Sequence, residues 1–263
     1  MLLNDIDRKI RRAFSNSAMQ YESFSSLQKE IGRELVKKIS DCEKGERILD
    51  IGAGTGRLAN RISFLFPDAL VCAMDFAPGM LKVAKEKYET LKILQAQAAA
   101  LPFQPRTFDI VVSNLMYQWI EDLDKSFEQV HAVLKNQGVF CFTMFGQQTL
   151  KELFEALEAT AGKTAGGLRF RRLADGLTVH RSLEDRGFQI IDENCEIIKT
   201  HFNDLFDLVS WLKSTGANTG RQSFFVGKDH LQRANEYYKN HFQDPWGVTA
   251  SFEVLWLKGI KNE

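Results

Sequence analysis

The chain has 263 residues, of which 44% are hydrophobic and 26% are charged, and this is enough to bury one substantial core. Its 34 basic residues balance 34 acidic residues, so the overall charge gives no reason to expect a nucleic acid as partner. No stretch approaches the roughly 18 to 20 apolar residues of a membrane span, and the first residues lack the apolar region of a signal peptide. We therefore expect a cytoplasmic protein with neither nucleic-acid nor membrane partners.

The cysteines and histidines also exclude two classes of site. The four cysteines lie far apart without a CxxC pair, and the five histidines show no zinc-ligand spacing. We expect neither a disulfide nor a metal site.

The first forty residues are predicted to form a helical arm. Leu27, Ile31, Leu35 and Ile39 recur at every fourth position with charged residues between them, which is typical of an amphipathic helix. The arm, residues 1–40, precedes the first predicted strand.

Residues 45–145 alternate strand and helix patterns. The predicted strands are 47–51, 70–75, 92–96, 108–113 and 138–144, and the predicted helices between them are 58–66, 79–88 and 124–134. Pro67, a polar turn and the segment 136–138 end these helices. The alternation predicts an α/β fold with a mostly parallel, doubly wound sheet.

Residues 146–263 are predicted to continue the same domain with a different pattern. Helices are expected at 149–161 and 178–186, and two late strands at 188–199 and 249–257, the last of them antiparallel. About fifty residues separate these strands, far more than a hairpin loop of two to five. We interpret 202–246, with helical stretches at 205–213 and 229–242, as a functional insertion.

A glycine-rich turn after the first predicted strand is the sharpest motif. Asp50 ends the strand, and Gly52, Gly54 and Gly56 follow before a helix, so that a ligand can touch the backbone where no Cβ intervenes. A dinucleotide fold expects glycine or alanine at position 57, where this chain has Arg57, and Asp50 would repel a pyrophosphate. Asp50 instead suits a cationic ligand.

A second acid, Asp75, ends the second predicted strand and precedes Phe76. A doubly wound fold holds the ribose hydroxyls at this place. One acid near an amine and one on a ribose match S-adenosylmethionine (SAM), which is cationic and carries no phosphate. The alternative is structural: a tight strand-to-helix turn followed by a strand cap.

The sequence resembles the class I, Rossmann-like methyltransferases. Asp50, Gly52, Gly54 and Gly56 match the first motif of that family, Asp75 matches its ribose acid, and the segments 100–103 and 108–111 match further motifs. The family commonly has an Asp for the adenine amino group where this chain has Gln97, so the Gln97 carbonyl or the Ala98 backbone is expected to accept that hydrogen bond.

Segments across the whole chain resemble the BioC family, the malonyl-acyl-carrier-protein O-methyltransferases of biotin synthesis. The matching pieces are 14–21 with Gln28, 113–119, 142–146, 149–153, 169–170 and 212–218. The chain departs from the family at Ser15, Ser17 and the Ser251-Phe252 pair. The family usually has Thr-Tyr at that pair, so the last strand lacks a phenol that could contact a substrate.

The resemblance implies methyl transfer from SAM to the carboxylate of a malonyl group on an acyl carrier protein. Tyr21 is the candidate catalytic residue, because a phenol can orient the acceptor carboxylate, although it could equally pack the arm. The implied cofactor-binding residues are Asp50, Gly52, Ala53, Gly54, Gly56, Asp75, Phe76, Met80, Gln97, Ala98 and Asn114. The implied substrate-binding residues are Tyr21, Gln118, Trp119, Phe145, Arg169 and Asn218.

Clusters of basic residues are candidates for docking the acidic carrier protein. One holds Lys9, Arg11 and Arg12, and the other holds Arg169, Arg171, Arg172, Arg181 and Arg186. A solvated surface is the alternative interpretation. Two other functions stay open: a methyltransferase for a free small acid or a quinone, and a SAM-binding assembly factor of the complex I type.

Overall fold

The computed structural model describes residues 4–42, 45–161, 173–217 and 227–262. The predicted arm consists of two helices, α1 (Asp5–Phe24) and α2 (Ser26–Ile39). Asn4 begins α1 by accepting a hydrogen bond from the Asp7 amide at 2.8 Å, which satisfies an otherwise unpaired helix N–H. The chain leaves helical geometry at Ser25, where α1 ends.

One mixed sheet forms the centre of the molecule. Its strands lie in the order β3-β2-β1-β4-β5-β8-β6, and the first five are parallel. β8 is antiparallel to both of its neighbours, as predicted for the final strand. The strands are β1 (Arg47–Ile51), β2 (Leu70–Asp75), β3 (Lys92–Gln95), β4 (Phe108–Asn114), β5 (Leu134–Phe145), β6 (Phe188–Phe202), β7 (Gln243–Asp244) and β8 (Gly247–Lys261).

Helices cover both faces of this sheet and bury two hydrophobic cores. Neighbouring residues of one strand belong to different cores, Ile48 to the first and Leu49 to the second, because successive side chains point to opposite faces. The remaining helices are α3 (Arg57–Leu65), α4 (Pro78–Lys87), α5 (Leu123–Val133), α6 (Lys151–Ala159), α7 (Gly176–Glu184), α8 (Leu205–Ser214) and α9 (Lys228–Phe242). The mostly parallel, doubly wound class predicted from the sequence is confirmed.

β5 begins four residues earlier than predicted, at Leu134 rather than at residue 138. The segment 136–138, predicted as the turn that ends the preceding helix, lies inside this strand, where Gln137 has a φ of 61°. The pairing with β4 is irregular there, since Phe108 faces Leu134 and Ile110 faces Val139. Lys135 anchors the irregular segment through a 2.7 Å ion pair with Asp109.

The predicted insertion is shorter than 202–246. β6 extends to Phe202, and β7 at Gln243–Asp244 already pairs with β8. Between them, α8 contacts the arm: the Trp211 indole donates to the Phe24 carbonyl at 2.8 Å. A Cβ on Gly216 would meet the Ser17 hydroxyl at 2.9 Å.

Candidate active site

The candidate site lies at the carboxyl ends of β1, β2 and β4, where a doubly wound sheet binds its ligands. A cavity of about 470 Å³ opens there, and α1 lines one side of it with Ile10, Arg11, Phe14 and Tyr21. The rings of Phe14 and Trp119 meet edge to face, with centroids 5.2 Å apart, so the arm contacts the turn that follows β4.

A second, smaller cavity of about 70 Å³ adjoins the first. Four residues line both cavities: Tyr21, Gly52, Gly54 and Asn114. These residues therefore mark the junction of the two spaces.

The glycine turn follows β1 with a backbone that glycine adopts without strain. Gly52 and Gly54 have φ values of 75° and 56°. A Cβ at Gly52 would lie 2.4 Å from Met116, whereas a Cβ at Gly54 would meet nothing within 4 Å. Gly52 is thus required by packing, and Gly54 leaves open the space that a ligand can use.

Asp75 ends β2 and binds the glycine turn. One carboxylate oxygen accepts from the Gly54 amide at 2.8 Å, and the other accepts from the Ala77 amide at 2.7 Å. Burial raises the pKa of Asp75, and these backbone amides partly offset the rise. Each oxygen keeps a lone pair that can accept from a ligand hydroxyl.

Asp50 is fully buried beside the smaller cavity, and neither of its carboxylate oxygens accepts a hydrogen bond from any part of the chain that the structure describes. Burial and the negative charge of Asp75 raise the pKa of Asp50 to about 8. The Ala59 backbone amide acts in the opposite direction and lowers the pKa, although it does not meet the geometry of a hydrogen bond to either oxygen. A buried acid without a partner is costly, so a cationic ligand would stabilise it.

Other polar atoms at the smaller cavity are also without a partner among the described residues. They are the buried Gln28 Oε1, an acceptor, and Arg57 Nε, a donor. Lys29 and Arg61 line the same cavity. The cavity lining thus contains both acceptors and cations, which suits a ligand that carries both an ammonium and a carboxylate group, and SAM ends in such an amino-acid group.

Tyr21 lies on α1 at the junction of the two cavities. Burial raises the pKa of Tyr21, and the charges of Asp75 and Glu22 raise it further, so the phenol keeps its proton and can donate a hydrogen bond.

Residues expected to contact the adenine end of the cofactor line the larger cavity. They are Phe76, Met80, Gln97 and Ala98, all of which were predicted from the sequence. The Ala98 carbonyl already accepts from the Ser126 hydroxyl at 3.2 Å. The Gln97 side chain is therefore the better candidate acceptor for an adenine amino group.

Asn114 joins the sheet to the arm. Its amide nitrogen donates to the Gln28 carbonyl at 2.9 Å, and its amide oxygen accepts from the Thr143 hydroxyl at 2.9 Å. Leu115, which follows, has a φ of 53°, a strained value for a residue with a side chain.

Three residues expected in the site line neither cavity. A Cβ on Gly56 would lie 3.0 Å from Ala84, so this glycine permits α3 and α4 to approach closely. Gln118 is buried and donates to the Leu115 carbonyl at 2.6 Å, which holds the turn after β4. Phe145 packs against Phe252.

Two other expected substrate contacts, Arg169 and Asn218, lie outside the described residues, as do Arg171 and Arg172 of the second basic cluster. The first basic cluster is divided by the structure. Lys9 and Arg12 are exposed on α1, whereas Arg11 lines the larger cavity with its guanidinium 5.6 Å from the centre of the Phe76 ring.

Sequence reasoning missed Arg11, Gln28 and Arg57 as site residues. Asp7, Ile10, Arg11, Phe14 and Tyr21 recur at intervals of one, three, four and seven residues, so they share one face of α1. That spacing could have identified Arg11. The described residues contain no group of three metal-ligating side chains, and none of their helices is both long and apolar enough to span a bilayer.

Comparison with known proteins connects this site to a family. The family described as a methyltransferase domain matches residues 49–142. A malonyl-acyl-carrier-protein O-methyltransferase of Geobacter sulfurreducens is 30% identical, over 96% of this chain and 98% of its own. The enzyme of the same name from Methylococcus capsulatus is also 30% identical, over 92% of this chain and 90% of its own.

Solved structures share the fold. A Haemonchus contortus phosphoethanolamine N-methyltransferase, solved with S-adenosylhomocysteine, superimposes with a TM-score of 0.62 at 20% identity and covers 99% of this chain and 61% of its own. The YcgJ protein of Bacillus subtilis gives a TM-score of 0.61 at 19% identity, over 89% of this chain and 99% of its own.

Proposed function

The chain belongs to the malonyl-acyl-carrier-protein O-methyltransferase family, and from that premise we propose that it methylates the free carboxylate of a malonyl group on an acyl carrier protein. It is a SAM-dependent methyltransferase. The product would be the malonyl methyl ester, an early intermediate of biotin synthesis, and malonyl-coenzyme A is a second candidate acceptor. The observation that carries the site assignment is the pair of adjoining cavities with Tyr21 at their junction.

The smaller cavity would hold the amino-acid end of the cofactor. Asp50 and Gln28 Oε1 would accept from its ammonium, and Arg57 Nε would donate to its carboxylate. In the larger cavity, Asp75 would accept from the ribose hydroxyls, and Gln97 would accept from the adenine amino group. When bound, SAM supplies an electrophilic methyl group on a sulfonium that lies between these two ends.

The chain's remaining task is to orient and desolvate the acceptor. A malonyl carboxylate is ionised near neutral pH, so its oxygen can attack the methyl carbon without a general base. The neutral phenol of Tyr21 can donate a hydrogen bond to that carboxylate. This hydrogen bond would fix the attacking oxygen and reduce its nucleophilicity less than an ion pair with a cationic side chain would. Positioning of this kind supplies much of the rate enhancement in transfer reactions.

The carrier protein would dock through basic residues of the arm. Lys9 and Arg12 are exposed on α1, the helix whose other face lines the cavity. Acyl carrier proteins are acidic, so these cations would attract them. We also propose that the reaction takes place in the cytoplasm, where carrier protein and cofactor are both available.

Mass spectrometry of the acceptor tests the proposal. Malonyl-carrier protein incubated with this chain and SAM should gain one methyl group, while acetyl-carrier protein, which has no free carboxylate, should gain none. Methylation of free malonate or of a quinone, with none on the carrier, would favour the free-acid or quinone enzyme. Tight cofactor binding without transfer to any of these acceptors would favour an assembly factor.

A further inference from the structure

The carboxylate of Glu22, near the end of α1, connects the arm to three other elements. One oxygen accepts from the Thr55 hydroxyl in the glycine turn at 3.0 Å and from Lys87 in the last turn of α4 at 2.9 Å. The other oxygen lies 3.9 Å from the guanidinium of Arg57, the first residue of α3. Burial raises the pKa of Glu22, but the hydrogen bonds from Lys87 and Thr55 outweigh it and lower the pKa.

The polar contacts of this turn matter because few side chains of α1 are fully buried. Among its twenty residues, only Ile10, Ser17 and Ala18 are buried, whereas α2 buries five of fourteen. Hydrophobic burial therefore holds α1 less strongly than α2. The Glu22 side chain is only 22% exposed, so solvent screens its ion pair with Lys87 less than it screens a surface pair.

We propose that Glu22 is a positioning residue that latches α1 onto the glycine turn and α4. Its latch fixes the neighbouring Tyr21 at the junction of the cavities and slows the release of the cofactor from beneath the arm. This inference rests on the cofactor assignment in the proposed function and is independent of which acceptor is methylated. Lys29 supports the same turn by donating to the Glu22 carbonyl.

The test is Glu22→Gln, which keeps the size of the side chain and an acceptor for Thr55 but removes the charge that Lys87 and Arg57 face. We expect the dissociation rate constant of S-adenosylhomocysteine, measured by stopped flow, to rise about tenfold. In the absence of cofactor, hydrogen exchange should quicken in Asp5–Phe24 and stay unchanged in Ser26–Ile39. The matched control is Glu34→Gln, which removes a 2.8 Å ion pair with Lys37 on the exposed face of α2. It should change neither the dissociation rate constant of S-adenosylhomocysteine nor the hydrogen exchange of Asp5–Phe24.

A double-mutant cycle distinguishes a latch from a general loss of packing. If Glu22 acts through Lys87, then Lys87→Gln alone should raise the dissociation rate constant, and the double variant should exceed either single variant by less than twofold. Because Glu22 also lines the smaller cavity, faster release with unchanged exchange in Asp5–Phe24 would indicate a direct contact with the cofactor and would overturn the latch. Effects that multiply, or a folded Glu22→Gln with wild-type release and exchange, would also overturn it. If Glu22→Gln gives the expected release and exchange but malonyl-carrier protein gains no methyl group, only the proposed acceptor is refuted.

Discussion

At the scale of single residues, we expect the buried carboxylate of Asp50 to strengthen cofactor binding and to lower the stability of the free protein. It has no hydrogen-bond partner among the described residues, and its pKa is raised to about 8. At neutral pH the folded state must hold Asp50 protonated, which costs stability, and Asp50→Asn removes this cost. We therefore expect the free protein to melt roughly 2 to 4 °C higher, which corresponds to about 1 kcal/mol for a chain of this size. Calorimetric titration should show S-adenosylhomocysteine binding at least about tenfold more weakly.

The same substitution should alter the pH dependence of stability. Between the ordinary pKa of an unfolded Asp, about 4, and the folded value of about 8 for Asp50, the folded state holds a proton that the unfolded state releases. The free energy of unfolding therefore falls as pH rises through this window. Asp50→Asn should flatten that fall in denaturant titrations at several pH values; an identical slope in both proteins would mean that Asp50 is ionised throughout.

Tyr21 allows a second test at the same scale. Tyr21→Phe keeps the ring that packs the arm and removes the phenol at the junction of the cavities. Loss of one orienting hydrogen bond should slow methyl transfer on the order of ten- to a thousandfold, with little change in cofactor affinity. Single-turnover kinetics with saturating SAM isolate the step, and Tyr237→Phe on α9, which lines neither cavity, is the control. Wild-type transfer in Tyr21→Phe would make Tyr21 a packing residue.

The sequence identified those site residues whose chemistry depends on chain position. Asp50 is the penultimate residue of β1 and Asp75 ends β2, so strand periodicity together with the glycine motif between them gave their location. Arg57 Nε and Gln28 Oε1 could not be found in this way. Their proposed role depends on lacking a partner among the described residues, which is decided by packing between α2, α3 and the glycine turn.

At the scale of elements, the glycine turn contains two glycines that are required for different reasons. Both have positive φ, so either Gly→Ala change costs roughly 1 to 2 kcal/mol of strain. A Cβ at Gly54 meets nothing within 4 Å, so Gly54→Ala should fold and lose cofactor affinity at least about tenfold. A Cβ at Gly52 would lie 2.4 Å from Met116, so Gly52→Ala should destabilise the fold further.

Melting curves and binding measured on the same preparations test this contrast. The double variant Gly52→Ala/Met116→Ala serves as the control, because it removes the side chain that the new Cβ would strike. It should recover part of the stability lost in Gly52→Ala. Equal stability losses in Gly52→Ala and Gly54→Ala, with unchanged affinity in both, would contradict separate roles for the two glycines.

Periodicity predicted the strands of the sheet well because each strand is bounded by a turn or a helix. It failed at β5, where Leu134 directly follows the last residue of α5 and no break separates helix from strand. The irregular segment there depends on Asp109, which accepts from the Arg47 amide at 2.9 Å and from Lys135 at 2.7 Å. Contacts between residues so distant in sequence leave no local pattern.

At the scale of the whole molecule, the sequence favours an arm and an insertion that together cover the site, and the structure brings these two distant segments into contact. Trp211 of α8 donates to the Phe24 carbonyl of α1, and Gly216, just after α8, lies close to Ser17 of α1. The periodic residues that predicted the arm, from Leu27 to Ile39, lie in α2, so the pattern did not show what α1 packs against. The arm thus has one face toward the cavity and another that carries exposed cations, an arrangement that sets how a large acceptor can approach.

The exposed cations of the arm lead to a prediction about the carrier protein. Lys9→Glu/Arg12→Glu should raise the Michaelis constant for malonyl-carrier protein about tenfold at low ionic strength, because an acidic partner is no longer attracted to α1. The difference from wild type should shrink as salt rises, since the Debye length falls to about 8 Å near 0.15 M.

The control for this variant makes the same change in net charge at the opposite ends of the strands, away from the cavities. Arg47 and Lys92 are exposed at the amino ends of β1 and β3, whereas the cavities lie at the carboxyl ends of the strands. Arg47→Glu/Lys92→Glu should therefore leave the Michaelis constant for the carrier unchanged. With malonyl-coenzyme A as acceptor, Lys9→Glu/Arg12→Glu should raise the Michaelis constant less than it does with the carrier protein. An equal rise of the Michaelis constant for both acceptors would place these cations at the acyl end of the substrate. An equal rise in both charge variants would mean that only the overall charge of the protein matters.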